Sequence, residues 1–230
     1  MLKVDVHKKF ISKRRSTDVS FTYDFPEEGV FGVYGASGIG KSTALRMIAG
    51  LTKPDKGSVL FKDQTWFDHD ASTDLPVAER KVGYVFQDYN LFPNMTVHEN
   101  LIYAAPDGII TPEISDLLLA TQLEDLLESV PEELSGGQRQ RVAIIRSLAS
   151  QPNLLLLDEP SSALDDDSIE AVISELKRIK LNKGMLTIMV SHRRDVLSAM
   201  CDQILHYSGQ GELVSYSPQQ MKNKGFESSN

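Results

Sequence analysis

At 230 residues the chain is long enough for one large core, or for one core with a small lobe. Its net charge of −8 is opposite to the basic footprint of a nucleic-acid-binding surface, and no apolar run approaches the roughly 18–20 residues that span a bilayer. The lone Cys201 excludes an intramolecular disulfide and suits a reducing compartment, and Met1–Arg15 alternates apolar and charged residues, unlike a secretion signal.

In chain order, Leu2–His7 and Asp18–Phe25 alternate as half-buried strands of an antiparallel lobe that joins a third strand, Gly29–Tyr34. Lys8, Lys9, Lys13, Arg14 and Arg15 between them read as a solvated hairpin end. The third strand runs into Gly35-Ala36-Ser37-Gly38-Ile39-Gly40-Lys41-Ser42, with Thr43 next, and a helix is expected from Ser42 to Ala49, closed by Gly50. This is GxxxxGK[ST] spacing in its strand–loop–helix setting. Its glycines let successive backbone N–H groups face one centre, and the helix start adds positive potential. Lys41 would reach the β- and γ-phosphates of a nucleoside triphosphate, and the Ser42 hydroxyl would ligate Mg²⁺.

Further strands are expected at Gly57–Phe61 and Val82–Phe86, with polar Lys62–Arg80 between them anchored by Trp66 and Phe67. From Asp88 to Val130 the pattern becomes helical, at Thr96–Tyr103, Glu113–Thr121 and Glu124–Ser129, with Pro106, Gly108 and Pro112 as breaks. Leu134-Ser135-Gly136-Gly137-Gln138 opens another helix: Ser135 is a good N-cap, Gln138 completes a capping box, and Arg141, Val142, Ile145 and Leu148 follow within it. The run Leu154–Leu157 suits a strand buried on both faces of a parallel sheet, and it ends in Asp158 and Glu159. A carboxylate there lies where open α/β sheets bind ligands. Asp158 would hold Mg²⁺, and Glu159 would orient the attacking water and take its proton. The pattern then continues as helix Ser168–Lys180, strand Leu186–Ser191, helix Asp195–Met200 and strand Gln203–Tyr207, before a polar tail from Lys222.

Taken together, these residues resemble the nucleotide-binding subunit of ATP-binding cassette (ABC) transporters over nearly the whole chain. The order is that of the family: phosphate loop Gly35–Ser42, Gln87, signature Leu134–Gln138, Asp158-Glu159, Ser162-Ala163-Leu164-Asp165, then His192. The resemblance implies an α/β fold with a P-loop NTPase (RecA-like) core, an antiparallel β lobe and an inserted helical subdomain. Residues 1–87 and 131–221 would form the core, 88–130 the insertion and 222–230 the tail. It further implies that Gln87 senses Mg²⁺ and the transmembrane partner, that Asp165 lies at the dimer interface, and that His192 contacts the γ-phosphate. An aromatic upstream of the phosphate loop would stack on adenine; Phe10 is the candidate, with Phe21, Tyr23 and Phe25 nearby.

The implied function is ATP hydrolysis that energises transport, through a homodimer with ATP between the phosphate loop of one copy and the signature helix of the other. Integral membrane permease subunits and a solute-binding protein would complete an importer on the cytoplasmic face of the membrane. The segment Arg80–Val97 resembles importer ATPases for oxyanions and similar small solutes, and the short helical insertion is most similar to the molybdate type, without the extra regulatory domain those relatives usually carry. The alternative is a soluble ABC ATPase of cluster-assembly or translation type.

Overall fold

The structure is a computed structural model that describes residues 1–11, 16–160 and 184–223. Asp165 and the helix expected at Ser168–Lys180 lie outside the described residues. The chain forms two compact units, Met1–Arg80 with Leu186–Asn230, and Lys81–Met185.

The strands are β1 (Leu2–Ile11), β2 (Ser16–Phe25), β3 (Gly29–Tyr34), β4 (Lys56–Phe61), β5 (Gln64–Asp68), β6 (Thr73–Asp74), β7 (Val82–Val85), β8 (Leu154–Asp158), β9 (Leu186–Val190), β10 (Gln203–Tyr207) and β11 (Gln210–Tyr216). The α-helices are α1 (Lys41–Ala49), α2 (Val97–Ala104), α3 (Pro112–Ala120), α4 (Gly136–Ala149), α5 (Arg194–Met200) and α6 (Pro218–Asn223).

In the first unit the strands follow the order β6-β5-β4-β1-β2-β11-β10-β3-β9. The pairing is antiparallel from β6 to β2 and parallel among β10, β3 and β9. Alternation places Leu2, Val4 and Val6 of β1 and Val19, Phe21 and Phe25 of β2 in the core. The Phe21 ring meets Tyr207 at 5.7 Å, and Phe25 meets Phe31 edge-on at 5.3 Å. Tyr207 satisfies its buried hydroxyl by donating to the Ser20 carbonyl (2.8 Å), and burial pushes its pKa up to about 12. α1 contributes Ala44, Leu45, Met47 and Ile48 to the same core.

Three segments differ from the sequence reading. Lys62–Arg80 contains the hairpin strands β5 and β6, although Trp66 and Phe67 are buried as expected. A register shift between Val59 and Leu60 breaks the strict alternation there, and two consecutive aromatics are buried. Beyond Tyr207 the chain adds β11, which pairs with both β10 and β2, and then α6. Glu124–Ser129 is one 3₁₀ turn, Glu124–Leu126, rather than a helix. The carbonyls that would continue it are used elsewhere: Ser129 O accepts from Val97 N and Leu127 O from His98 N, both at 2.9 Å. The segment thereby satisfies the first turn of α2.

In the second unit β7 and β8 run parallel with Tyr84 opposite Leu156, and α4 packs on β7. α2 and α3 pack against α4, so the helices expected as an insertion are tied by contact to the signature helix.

Arg80, 2 % exposed, is the polar centre of the β-lobe. Its guanidinium donates to Leu75 O (3.0 Å), Ile48 O (2.9 Å), Trp66 O (3.1 Å) and Asp74 Oδ1 (3.2 Å), and lies over the Trp66 ring. Burial pushes its pKa down and Asp74 opposes the shift. One side chain thus holds the end of α1 to β5 and to the turn after β6. Arg80→Met should take the guanidinium donor from Leu75 O and Ile48 O, and the second donor from Trp66 O, which Leu75 N also reaches (2.8 Å), and lower stability by about 3 kcal/mol. Urea denaturation with an unchanged slope and a lowered midpoint checks it; a wild-type midpoint would remove Arg80 from this role.

Candidate functional site

The phosphate loop occupies Gly35–Gly40, between the end of β3 and the start of α1. Gly38 and Gly40 have φ of 76° and 103°, in the left-handed region that favours glycine. At Gly35 a Cβ would collide with the Tyr207 carbonyl oxygen and lie 2.6 Å from Ile39 Cδ1, so the loop closes only on glycine there. Lys41 is 6 % exposed and donates from Nζ to Gly35 O (2.8 Å) and Ala36 O (2.9 Å). The ammonium is thereby drawn back over its own loop. Ala36 and Ser37 are exposed, while Ile39, Ser42 and Thr43 are half-buried. α1 has no side-chain cap and no acid in its first turn. An uncapped helix start with a buried lysine beside it fits an anionic polyphosphate.

Parallel pairing brings the sequence-predicted residues of this unit to one sheet edge. Val33 lies opposite Val190, and Ser191 N donates to Val33 O at 3.3 Å, so His192 follows β9 where the phosphate loop follows β3. His192 is exposed and stands one residue before Arg193, the N-cap of α5. β10 ends at the same edge, with His206 opposite Tyr34.

A cavity of about 580 Å³ lies against the phosphate loop, lined by Ser37, Gly38 and Ile39, by the turn Ser208-Gly209, and by His7, Thr17, Asp18 and Ser20 of the β1–β2 hairpin. Phe10 is not among the lining residues. It sits on the face of β1 that carries Leu2, Val4 and Val6, 42 % exposed and paired with Thr17. His7 is on the opposite face; its Nε2 is 3.4 Å from Asp18 Oδ1 and its buried Nδ1 has no hydrogen-bond partner. His7 belongs to no sequence motif. The alternation of β1 was the available signal, since it sends odd-numbered residues away from the core.

The second unit carries the acidic strand end and the signature helix. Asp158, 1 % exposed, closes β8, and its Oδ2 accepts from the Tyr84 hydroxyl at 3.1 Å. Glu159 has φ 52°, a left-handed conformation costing a non-glycine residue about 1–2 kcal/mol, and Pro160 follows it. Val85 lies opposite Leu157, so exposed Gln87 leaves β7 at the edge where Asp158 leaves β8.

Ser135 caps α4 as the sequence predicts. Its Oγ accepts from Gln138 N (3.2 Å), and Gln138 Oε1 accepts from Ser135 N (2.7 Å). A hydroxyl accepting the cap bond keeps its proton for donation to an anion. Gly136 and Gly137 form the bare first turn. Oxygen donors of the type that Ser42, Asp158 and Gln87 supply suit Mg²⁺, which is ordinarily held by one or two carboxylates together with substrate phosphates. Among the described residues no cluster of three or more His, Cys, Asp or Glu could hold a metal by itself.

The loop after Gln87 is fixed by Asn100, 0 % exposed on α2. Asn100 Nδ2 donates to Phe92 O, Met95 O and Thr96 O (3.0–3.2 Å). Its Oδ1 accepts from Phe92 N (2.9 Å) and from Arg146 of α4 (3.3 Å). Arg146 also donates to Tyr89 O at 3.3 Å and lies over the Phe92 ring, which links the signature helix to the loop carrying Gln87. A polar residue at a core position, between Val97 and Leu101, was the sequence signal for this network. Asn100→Leu should cost about 2–4 kcal/mol by orphaning several buried groups. Hydrogen exchange should then rise selectively over residues 87–97, and unchanged protection there would contradict the linkage.

A family model described as "ABC transporter" matches residues 17–162. The methionine import ATP-binding protein MetN 1 of Listeria monocytogenes is 39% identical over 192 residues, 81% of this chain and 56% of that protein. The molybdenum import ATP-binding proteins ModC of Aliivibrio fischeri and Brucella abortus are 35% and 41% identical, over 89% and 78% of this chain and 55% and 50% of theirs. The chain thus spans about half the length of the curated relatives it matches. The expected likeness to the molybdate type is accompanied by an equal likeness to the methionine type. Among solved structures, the ATP-binding cassette MJ0796, as a post-hydrolysis dimer bound to ADP and Pi, superposes with a TM-score of 0.81 at 28% identity, covering 95% of this chain and 99% of that one. With the phosphate loop, capped signature helix and acidic strand end in place, the chain belongs to the ABC transporter family.

Proposed function

We propose that the chain binds and hydrolyses ATP to drive solute import through membrane permease subunits. The observation that carries this reading is the phosphate loop: a cradle closed by glycine, a buried lysine bonded across it, and a helix start left without cap or acid. The relatives' names, both import ATP-binding proteins, support the transport role.

Each residue has an assigned task. Lys41 and the loop N–H groups neutralise the β- and γ-phosphates. The Ser42 and Asp158 oxygens, with Gln87, would hold Mg²⁺, which supplies charge neutralisation on the phosphate oxygens. Glu159 accepts the proton of the water that attacks the γ-phosphorus as the bond to the β–γ bridging oxygen breaks; His192 orients the γ-phosphate. The nucleoside lies in the cavity beside the loop, where His7 rather than Phe10 faces it.

Ser135, Gly136, Gly137 and Gln138 serve the nucleotide of a second copy, and Asp165 belongs to the same dimer interface. The dimer docks on permease subunits at the cytoplasmic face of the membrane, with a solute-binding protein completing the importer. No helix among the described residues is long and apolar enough to cross a membrane. A molybdate-type anion and methionine are the two solutes the relatives' names carry. Uptake of each by cells lacking the chain separates them.

Glu159→Gln should keep ATP binding while slowing hydrolysis by ~10²–10⁴-fold, the scale of a positioned base, and ATP should then trap a dimer on size exclusion. Lys41→Ala should lose binding as well. Normal turnover in either variant would refute the assignment. His7→Ala should weaken ATP by about 1 kcal/mol, the scale of one net hydrogen bond, with Phe10→Ala close to wild type. The reverse order would return the nucleoside contact to Phe10.

A further inference from the structure

Asp158 is a carboxylate with 1 % exposure at the end of a fully buried strand, and one of its oxygens has a neighbour that the reaction scheme above does not use. Tyr84 lies in the middle of β7, opposite Leu156, and its side chain runs along the sheet toward the strand end. Its hydroxyl donates to Asp158 Oδ2 at 3.1 Å. The ring is itself held, half-buried and packed on Phe86 with centroids 4.4 Å apart. The hydroxyl is therefore delivered to the carboxylate by a rigid two-strand frame, so that the orientation of Asp158 about its Cβ–Cγ bond is set by a group on the neighbouring strand. Partners of this kind, one bond removed from a ligand oxygen, ordinarily change metal affinity by about 10–100-fold when lost.

We propose that Tyr84 is a positioning residue, which holds the Asp158 carboxylate in the orientation that receives the divalent cation. This rests on the reading of Asp158 as a cation ligand. Tyr84 acts through Asp158 and touches neither nucleotide nor metal. Tyr84 lies on β7 three residues before Gln87, which follows the end of that strand, so the residue that orients the carboxylate and the residue expected to sense the cation are close in sequence.

The test uses the full chain and Mn²⁺ as the probe. Protein in excess over a non-hydrolysable ATP analogue is titrated with Mn²⁺, and bound metal is read by electron paramagnetic resonance; nucleotide affinity in EDTA is measured separately. Tyr84→Phe keeps the ring and removes only the hydroxyl. It should weaken Mn²⁺ by about 10-fold or more while the EDTA affinity for nucleotide stays at wild type, which also shows that the variant is folded. Asp158→Asn should weaken Mn²⁺ at least as much. The double variant should be no worse than Asp158→Asn alone, because Tyr84 has nothing left to position. Wild-type Mn²⁺ affinity in Tyr84→Phe, with a loss in Asp158→Asn, overturns the proposal and leaves the metal assignment standing. Wild-type affinity in both variants removes the metal assignment and the proposal with it. Strictly additive losses in the double variant would make Tyr84 an independent, merely structural contributor, and would also overturn it.

Discussion

Parallel strand pairing sends successive chain exits to the same sheet edge, and in each unit the proposed nucleotide chemistry depends on that constraint. In the first unit β10, β3 and β9 run parallel, which puts the phosphate loop beside the exit that carries His192 and beneath the Tyr207 carbonyl. In the second, β7 and β8 run parallel, which puts Gln87 beside Asp158 and Glu159. Residues more than seventy positions apart become neighbours through backbone hydrogen bonds alone. The side chains then need only short reaches. Lys41 folds back over its loop, and Tyr84 spans two residues along the sheet to Asp158.

The two helix starts are built differently, and the difference matches their assigned tasks. α1 begins at Gly40 with no side-chain cap, an arrangement that suits the phosphate binding proposed for the loop. α4 is closed by the reciprocal Ser135–Gln138 bonds, which fix its start in the absence of ligand. A preformed start costs less ordering when a nucleotide arrives from another copy. The Asn100–Arg146 network adds rigidity at the other end of the same helix, and it ties that helix to the loop that leaves Gln87.

Motifs and strongly periodic elements could be read from the sequence because their signals are local. β3 and β10 match the expected bounds, and the capping box at Ser135 is made as its spacing implies. What escaped were features set by partners distant in sequence. β5 was hidden because Trp66 and Phe67 defy alternation beside an irregular register. β11, rich in polar residues, becomes a strand through its pairing with β10 and β2. Glu124–Ser129 has helical composition but gives its carbonyls to α2. At the site, the pleat of β1 places Phe10 on the face of Leu2, Val4 and Val6, and His7, on the opposite face, lines the cavity.

The central claim is that the phosphate loop of one copy works with the signature helix of another. A mixture of Lys41→Ala and Ser135→Arg chains tests it most directly. Each homodimer carries a lesion in every site and should be nearly inactive. In the mixed dimer one site holds both lesions, and the other pairs an intact Lys41 with an intact Ser135, so ATPase activity should return, up to about one working site per heterodimer if the sites fire independently. Cross-linking counts the heterodimers, and trapped ATP reports a formed site even where coupling between the two sites silences turnover. Heterodimers that form but neither trap ATP nor hydrolyse it would contradict the account.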